Sequence, residues 1–132
     1  PKDKASADLQ KWFVGEYHKR DGKYPTYPCY HAYQAIYAYK YAVEKAAKVV
    51  GGWPTIEEIS NALTGITFPT PSGPLTIRED HNAIEDCLVG ITKLTPKYPF
   101  PILDPKRLEV YQASQVNAPV GIKTVDWINS WK

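Results

Sequence analysis

The sequence predicts an α/β fold, and one that forms a piece of a larger α/β protein rather than a closed domain. Apolar residues recur at helical spacing through the first half of the chain, and strand-like alternation begins only after Gly65. A compact α/β domain alternates helices with strands, so the strands that would complete the pattern are expected outside this chain. A third observation sets the scale. At 132 residues with 43% apolar content, the chain is long enough for one modest domain with a real core.

The first predicted helix covers residues 5–19. Leu9, Trp12, Phe13 and Tyr17 fall at i, i+3, i+4 and i+8 and share one face. Asp21-Gly22 ends it, glycine being the usual stop. In Lys23-Tyr24-Pro25-Thr26-Tyr27-Pro28 two prolines remove amide donors and are expected to hold the chain extended.

A long helix is predicted over residues 29–50. Stepping about 100° per residue places Ala32, Ala35, Ile36, Ala38, Tyr39, Ala42, Val43, Ala46, Val49 and Val50 on one arc. Gln34, Lys40, Glu44, Lys45 and Lys48 occupy the other arc. Tyr30, Tyr33, Tyr37 and Tyr41 fall with them, so these four rings are expected to lie outside the core of this helix. The small residues of the apolar arc allow close approach to a neighbour such as a sheet, and the arc is wider than the helices on either side can cover. Gly51-Gly52 stops the helix. Thr55 with Glu58 three residues on is a capping box, which predicts a short helix over 55–63 with Ile56, Ile59, Ala62 and Leu63 on its apolar face.

Strands are predicted near 66–68 and 75–77, joined by the turn Pro69-Thr70-Pro71-Ser72-Gly73-Pro74. Residues 86–94 contain the apolar run Cys87-Leu88-Val89-Gly90-Ile91, which suits a strand buried on both faces. Thr95 to Pro105 is proline-rich and is expected to be a loop, followed by a strand near 108–112. A short helix from Val125 to Trp131 is expected with Thr124 as its cap.

Composition removes several function classes. The 16 basic and 14 acidic residues leave a net charge of +2, and Lys and Arg are dispersed, which argues against nucleic acid as a partner. No apolar stretch of about 18 residues is present to span a membrane. The chain contains no methionine, begins at Pro1 and shows no signal peptide, so it is expected to be a processed, proteolysed or subcloned piece of a longer protein. Cys29 and Cys87 are too far apart for a CxxC pair. Two buried free thiols and a disulfide both remain open, with free thiols the favoured reading.

Arg78, Glu79, Asp80 and His81 are the most reactive-looking cluster, since His and carboxylates together serve acid–base chemistry or bind metals. Neighbours on an extended chain point to opposite sides, so the cluster reads as a hydrogen-bonded turn. His18 reads as a solvated helix end, His31 as a surface residue, and Trp53, Trp127 and Trp131 as packing residues. No nucleophile elbow, phosphate loop, HExxH or GxGxxG is present.

The order of segments resembles a known family. An aromatic helix ending near Tyr17 leads to Gly22-Lys23-Tyr24-Pro25, then to the helix written YHAYQAIYAYKYAVEKA, then to a capped helix ending in Ala62-Leu63-Thr64-Gly65. Ile66-Thr67-Phe68-Pro69-Thr70-Pro71-Ser72-Gly73-Pro74-Leu75-Thr76-Ile77-Arg78 follows, and then Asp80-His81-Asn82. Together these resemble the C-terminal part of type I periplasmic solute-binding proteins of ABC transporters, of the branched-chain amino acid and amide type. The resemblance is best over residues 10–95. It implies two α/β lobes that close over a ligand, joined by three crossing segments. Residues 1–85 would then belong to the first lobe, 86–95 to a crossing strand, and 96–132 to the second lobe and a C-terminal tail.

The resemblance also implies that the loop leading into the long helix reaches the ligand cleft, with Tyr27, Pro28 and Tyr30 as ligand contacts. A helix start offers free amides and the positive end of a dipole, and an aromatic beside it can cover the apolar part of a small solute. The residues that grip an amino acid's carboxylate and ammonium would lie earlier, outside this chain. The implied function is capture of a small polar solute, an amino acid, amide or related small acid, outside the cytoplasmic membrane for delivery to a membrane permease. The location would be periplasmic or extracellular. No cofactor, metal or enzymatic activity is implied. Beyond ligand and permease, the expected partner is the remainder of a parent chain or a second copy. A ligand-sensing domain of a regulator with the same fold is the alternative, and a small hydrolase built on Arg78–His81 is a third reading.

Overall fold

A computed structural model describes residues 3–131. Its contacts divide the chain into two compact units, Pro1–Ile84 and Glu85–Lys132.

The first unit holds three helices and a small antiparallel sheet. Helix α1 spans Lys4–Asp21, with Asp3 capping it by accepting from the Ser6 amide at 2.8 Å. Gly22 closes it at φ 69°, its amide on the His18 carbonyl. Helix α2 spans Tyr27–Val50, and helix α3 spans Ile56–Leu63. The predicted capping box of α3 is present in both directions: the Glu58 amide donates to Thr55 Oγ1 at 3.3 Å, and the Thr55 amide donates to Glu58 Oε2 at 2.7 Å.

The long helix begins earlier than the prolines suggested. Tyr27 and Pro28 are helical, and the extended stretch ends at the N-cap Thr26. The first amides of a helix have no intrahelical partner, so a proline there loses nothing, and its fixed φ suits the helix.

Strands β1 (Thr67–Thr70), β2 (Gly73–Ile77) and β3 (Ala83–Ile84) follow in the order β1-β2-β3, all antiparallel. The β1–β2 turn is only Pro71-Ser72, with Thr70 opposite Gly73. A buried polar knot fixes it to α2. Gln34 Nε2 donates to Ser72 Oγ at 2.8 Å and to Thr70 Oγ1 at 3.3 Å, and Thr70 Oγ1 donates to the Gly73 carbonyl at 2.6 Å. Gln34, Thr70 and Pro71 are buried, so the bonds of Thr70 Oγ1 to Gln34 and to the Gly73 carbonyl are made away from competing water, while Ser72 lies at the exposed rim of the knot.

The core lies on both halves of α2. In its second half Ala42 and Ala46 meet Ile59 and Ala62 of α3, with Val43 and Leu63 packed alongside. In its first half Ala38 meets Phe68 and Leu75 of the hairpin, flanked by Tyr37, Tyr41, Leu63, Ile66 and Ile77. This corrects the expected division of the helix. Tyr30, Tyr33, Tyr37 and Tyr41 are half-buried and carry the packing, while Ala32, Ala35, Ile36 and Tyr39 are exposed. The cause is the partner available on each side. Phe13 of α1 and Phe68 of β1 offer rings to the tyrosine side. Tyrosine is amphipathic, so its ring can be packed while its hydroxyl stays near water.

The second unit is a two-stranded ribbon with short helical turns. Strand β4 (Cys87–Lys93) pairs antiparallel with β5 (Ile102–Tyr111), with a bulge between Gly90 and Thr92. A Cβ on Gly90 would lie 2.8 Å from the Arg107 carbonyl oxygen, so the close approach there needs glycine. Helix α4 covers Ala113–Val116 and α5 covers Thr124–Asn129, the latter capped by Lys123 rather than Thr124. Two further expectations are corrected. Every residue of β4 is exposed rather than buried on both faces, because a two-stranded ribbon has no layer to cover it. Ile102 to Pro105 belongs to β5 rather than to a loop, held by the pairing of Thr92 with Leu103 and Lys93 with Ile102.

Candidate ligand-contacting edge at the start of the second helix

The candidate site residues gather at the first turn of α2, where Thr26 is the N-cap and makes no side-chain cap bond. Tyr27 is 75% exposed, and its ring meets His31 edge-on at 5.5 Å. Pro28 is exposed and has no N–H to offer. The Cys29 amide is engaged with the Thr26 carbonyl at 3.0 Å. This helix start therefore presents an aromatic and apolar edge more than a set of free amides.

Tyr30 sits differently from Tyr27. It is half-buried, with its ring 5.0 Å from Phe13 of α1, and burial pushes its hydroxyl pKa up. The structure thus places Tyr27 and Pro28 in solvent and Tyr30 against α1. The same ring row continues through Tyr33, stacked on Tyr37 at 4.1 Å, to Tyr41 and Phe68. Burial also raises the Tyr33 hydroxyl well above the usual range for a phenol.

Cys29 was singled out in the sequence only as a thiol count, and its surroundings could not be read there. Its Sγ lies 3.5 Å from Tyr17 Oη and 3.9 Å from Thr26 Oγ1. Tyr17's hydroxyl stabilises the thiolate and lowers the Cys29 pKa, with the Thr26 backbone adding to the effect. Neither cysteine is in a disulfide. Cys29 is half-buried and Cys87 exposed, so the expected burial of both thiols is corrected.

The Arg78–His81 cluster is a hairpin turn between β2 and β3. The Arg78 amide donates to the Asn82 carbonyl at 2.9 Å, and the His81 amide to the Arg78 carbonyl at 3.0 Å. Arg78 Nε donates to Asp80 Oδ1 at 3.0 Å and its Nη2 to Oδ2. Arg78 thereby holds the Asp80 carboxyl at a pKa of about 2. His81 is exposed with φ 63°. His18 stacks on Tyr24 at 4.6 Å and bonds the Lys23 carbonyl at 3.2 Å, tying the end of α1 to the linker. Trp53 is 81% exposed and Trp131 also lies largely in solvent, which corrects their reading as packing residues; Trp127 meets Trp131 edge-on at 4.6 Å. Among the described residues no group of three His, Cys, Asp or Glu side chains converges as a metal site, and no helix is long and apolar enough to cross a membrane.

No known family and no curated protein matches the chain. Among solved structures it is similar to an ABC-type branched-chain amino acid transporter from Rhodopseudomonas palustris CGA009, with a TM-score of 0.70 and 27% identity. The likeness covers 93% of this chain and 30% of that one, so the chain spans under a third of its neighbour's length. The fold is that of a segment of a periplasmic binding protein, as the order of segments implied.

Proposed function

We propose that this chain is part of a solute-binding component of an ABC transporter, one that captures a small polar solute outside the cytoplasmic membrane for a membrane permease. The observation that carries the reading is the likeness over 93% of the chain, at a TM-score of 0.70, to a branched-chain amino acid transporter. Amino acids, amides and related small acids are the solute class, and the location is periplasmic or extracellular. The chain's share of the site is the exposed edge of Tyr27 and Pro28, with Tyr30 behind it. Binding without chemistry is supported at the one cluster that resembled a catalytic site, where Arg78 grips Asp80 within a turn.

The test is calorimetric titration of the complete gene product with branched-chain amino acids, their amides and short acids. One of these is expected to bind at a stoichiometry of one. Tyr27→Ala is expected to weaken that binding about tenfold, which corresponds to roughly 1.4 kcal/mol, with little change in melting temperature because Tyr27 lies in solvent. Tyr30→Ala is expected to lower the melting temperature, since it removes the ring on Phe13. A product that binds none of these solutes would overturn the reading.

A further inference from the structure

The second unit carries a feature that solute capture does not use, the tip of its ribbon. The last pair of the β4–β5 ladder is Lys93 with Ile102, so residues 94–101 form the turn beyond it. That turn is apolar and open to solvent. Leu94 is 81% exposed, and Pro96, Pro99, Phe100 and Pro101 are exposed as well. Tyr98 stacks on Phe100 at 5.6 Å, and the Lys97 amide donates to Thr95 Oγ1 at 3.0 Å, which holds the bend. Each proline lacks an amide hydrogen, so the turn has fewer donors to strip of water when it enters an apolar layer. No acidic residue occurs from Leu94 to Leu103.

Cations lie at the tip and behind it. Residues 91–107 hold Lys93, Lys97, Lys106 and Arg107 against a single carboxylate, Asp104, a local balance of +3 that exceeds the +2 of the entire chain. Asp104 is already engaged, by Lys93 Nζ at 3.0 Å and by the Lys106 amide at 3.1 Å. Lys97, Lys106 and Arg107 are exposed and enter no ion pair among the described residues. Lys106 and Arg107 immediately precede Leu108, which pairs with Gly90. At about 3.3 Å per residue along β4, they stand within about 10 Å of the last pair of the ladder.

We infer that the tip of the β4–β5 ribbon is a membrane-contacting element, which docks the second unit on a bilayer that carries anionic phospholipids. The occupant is argued from charge and polarity. Aromatic rings and leucine enter the interfacial layer of a bilayer, and lysine and arginine a few ångströms behind them meet lipid phosphates. The apolar residues sit on a turn, with no ladder edge alongside them for a partner strand to extend, so a fluid layer suits them better than a peptide. The inference goes beyond solute binding and stands on the ribbon alone.

The test uses the complete translation product of the gene that encodes this chain, with its native cysteines replaced by serine. One cysteine is then placed by Leu94→Cys or, as a control on α3, by Glu57→Cys, and carries a nitrobenzoxadiazole probe of local polarity. On vesicles of phosphatidylcholine with about one third phosphatidylglycerol, emission at position 94 is expected to rise at least twofold and shift to the blue. Position 94 is expected to stay aqueous on phosphatidylcholine alone, and position 57 on both. Lys97→Gln with Lys106→Gln is expected to raise the lipid concentration needed for half the change about tenfold. Both lysines are exposed, so circular dichroism of that variant should match the parent. No response at position 94 on the anionic vesicles would overturn the inference, as would an equal response at position 57, on phosphatidylcholine alone, or in the glutamine variant. A probe at position 94 that is already shielded without vesicles would overturn it, since the tip would then be covered within the protein. A response only on membranes that contain the permease would overturn it in favour of a protein partner.

Discussion

At the scale of single residues, the molecule uses its charged and polar side chains to fix turns. Arg78 and Asp80 are two residues apart, and their bidentate pair closes the hairpin between β2 and β3. The folded Asp80 carboxyl titrates near 2, below its ordinary value of 3.8. Its contribution to stability is therefore complete above about pH 4 and is lost as pH falls toward 2. In Asp80→Asn this contribution disappears, so the melting temperature should fall less steeply between pH 4 and 2 than in the parent, as thermal unfolding followed by circular dichroism across that range would measure. A mutant with the same slope as the parent would show that the pair does not report on folding. The turn character of this cluster was legible in the sequence because crowded neighbours on one strand cannot converge. The Gln34 knot was not legible. Gln34 bonds Thr70 and Ser72 across a long stretch of chain, and its polar side chain on a helix reads as solvent-facing until the hairpin is placed.

At the scale of elements, the first three helices and the strands of the first hairpin were readable, because periodicity, capping residues and glycine stops are local signals. What could not be read was which neighbour each face would meet. Of the apolar arc read for α2, Ala38, Ala42 and Ala46 are buried but Ala32, Ala35, Ile36, Tyr39, Val49 and Val50 are exposed, and the tyrosine side is packed because Phe13 and Phe68 lie against it. The run Cys87–Ile91 shows the converse, since an apolar composition that suits a buried strand occurs on an open ribbon. A paired substitution tests this account of α2. Ala42 is fully buried against α3, so Ala42→Leu should cost about 1–3 kcal/mol by overpacking. Ala35 lies on the bare face, so Ala35→Leu should change the stability of the 132-residue chain by less than about 0.5 kcal/mol. Chemical denaturation of both variants would measure the contrast, and equal costs would contradict the assignment of faces.

At the scale of the whole molecule, the two units are built to different standards. The first has buried alanines, Phe68, Leu75 and a satisfied polar knot. The second is a ribbon with Leu88, Val89 and Ile91 about half exposed, and two strands alone are marginal in water. Local stability follows buried contacts, so amide exchange in β4 and β5 should be at least tenfold faster than in the middle of α2 and in β2. Hydrogen exchange read by mass spectrometry on the isolated chain gives this directly, and uniform protection across both units would refute it. The likeness to a chain more than three times as long fits this unevenness, which leaves apolar surface uncovered in both units.

The ring row from Phe13 through Tyr33, Tyr37 and Tyr41 to Phe68 has an optical consequence. Of the four tryptophans, Trp53 and Trp131 lie largely in water already and Trp12 is half exposed, so their emission has little reason to change when the chain unfolds. The tyrosines carry the signal instead. Tyr30 and Tyr33 hold their protons more tightly when folded than when free, so folding weakens as alkali rises through their ordinary pKa of 10. Their tyrosinate band should appear late and together with unfolding, which makes ultraviolet absorbance in base a label-free report on the packing of α1, α2 and the hairpin.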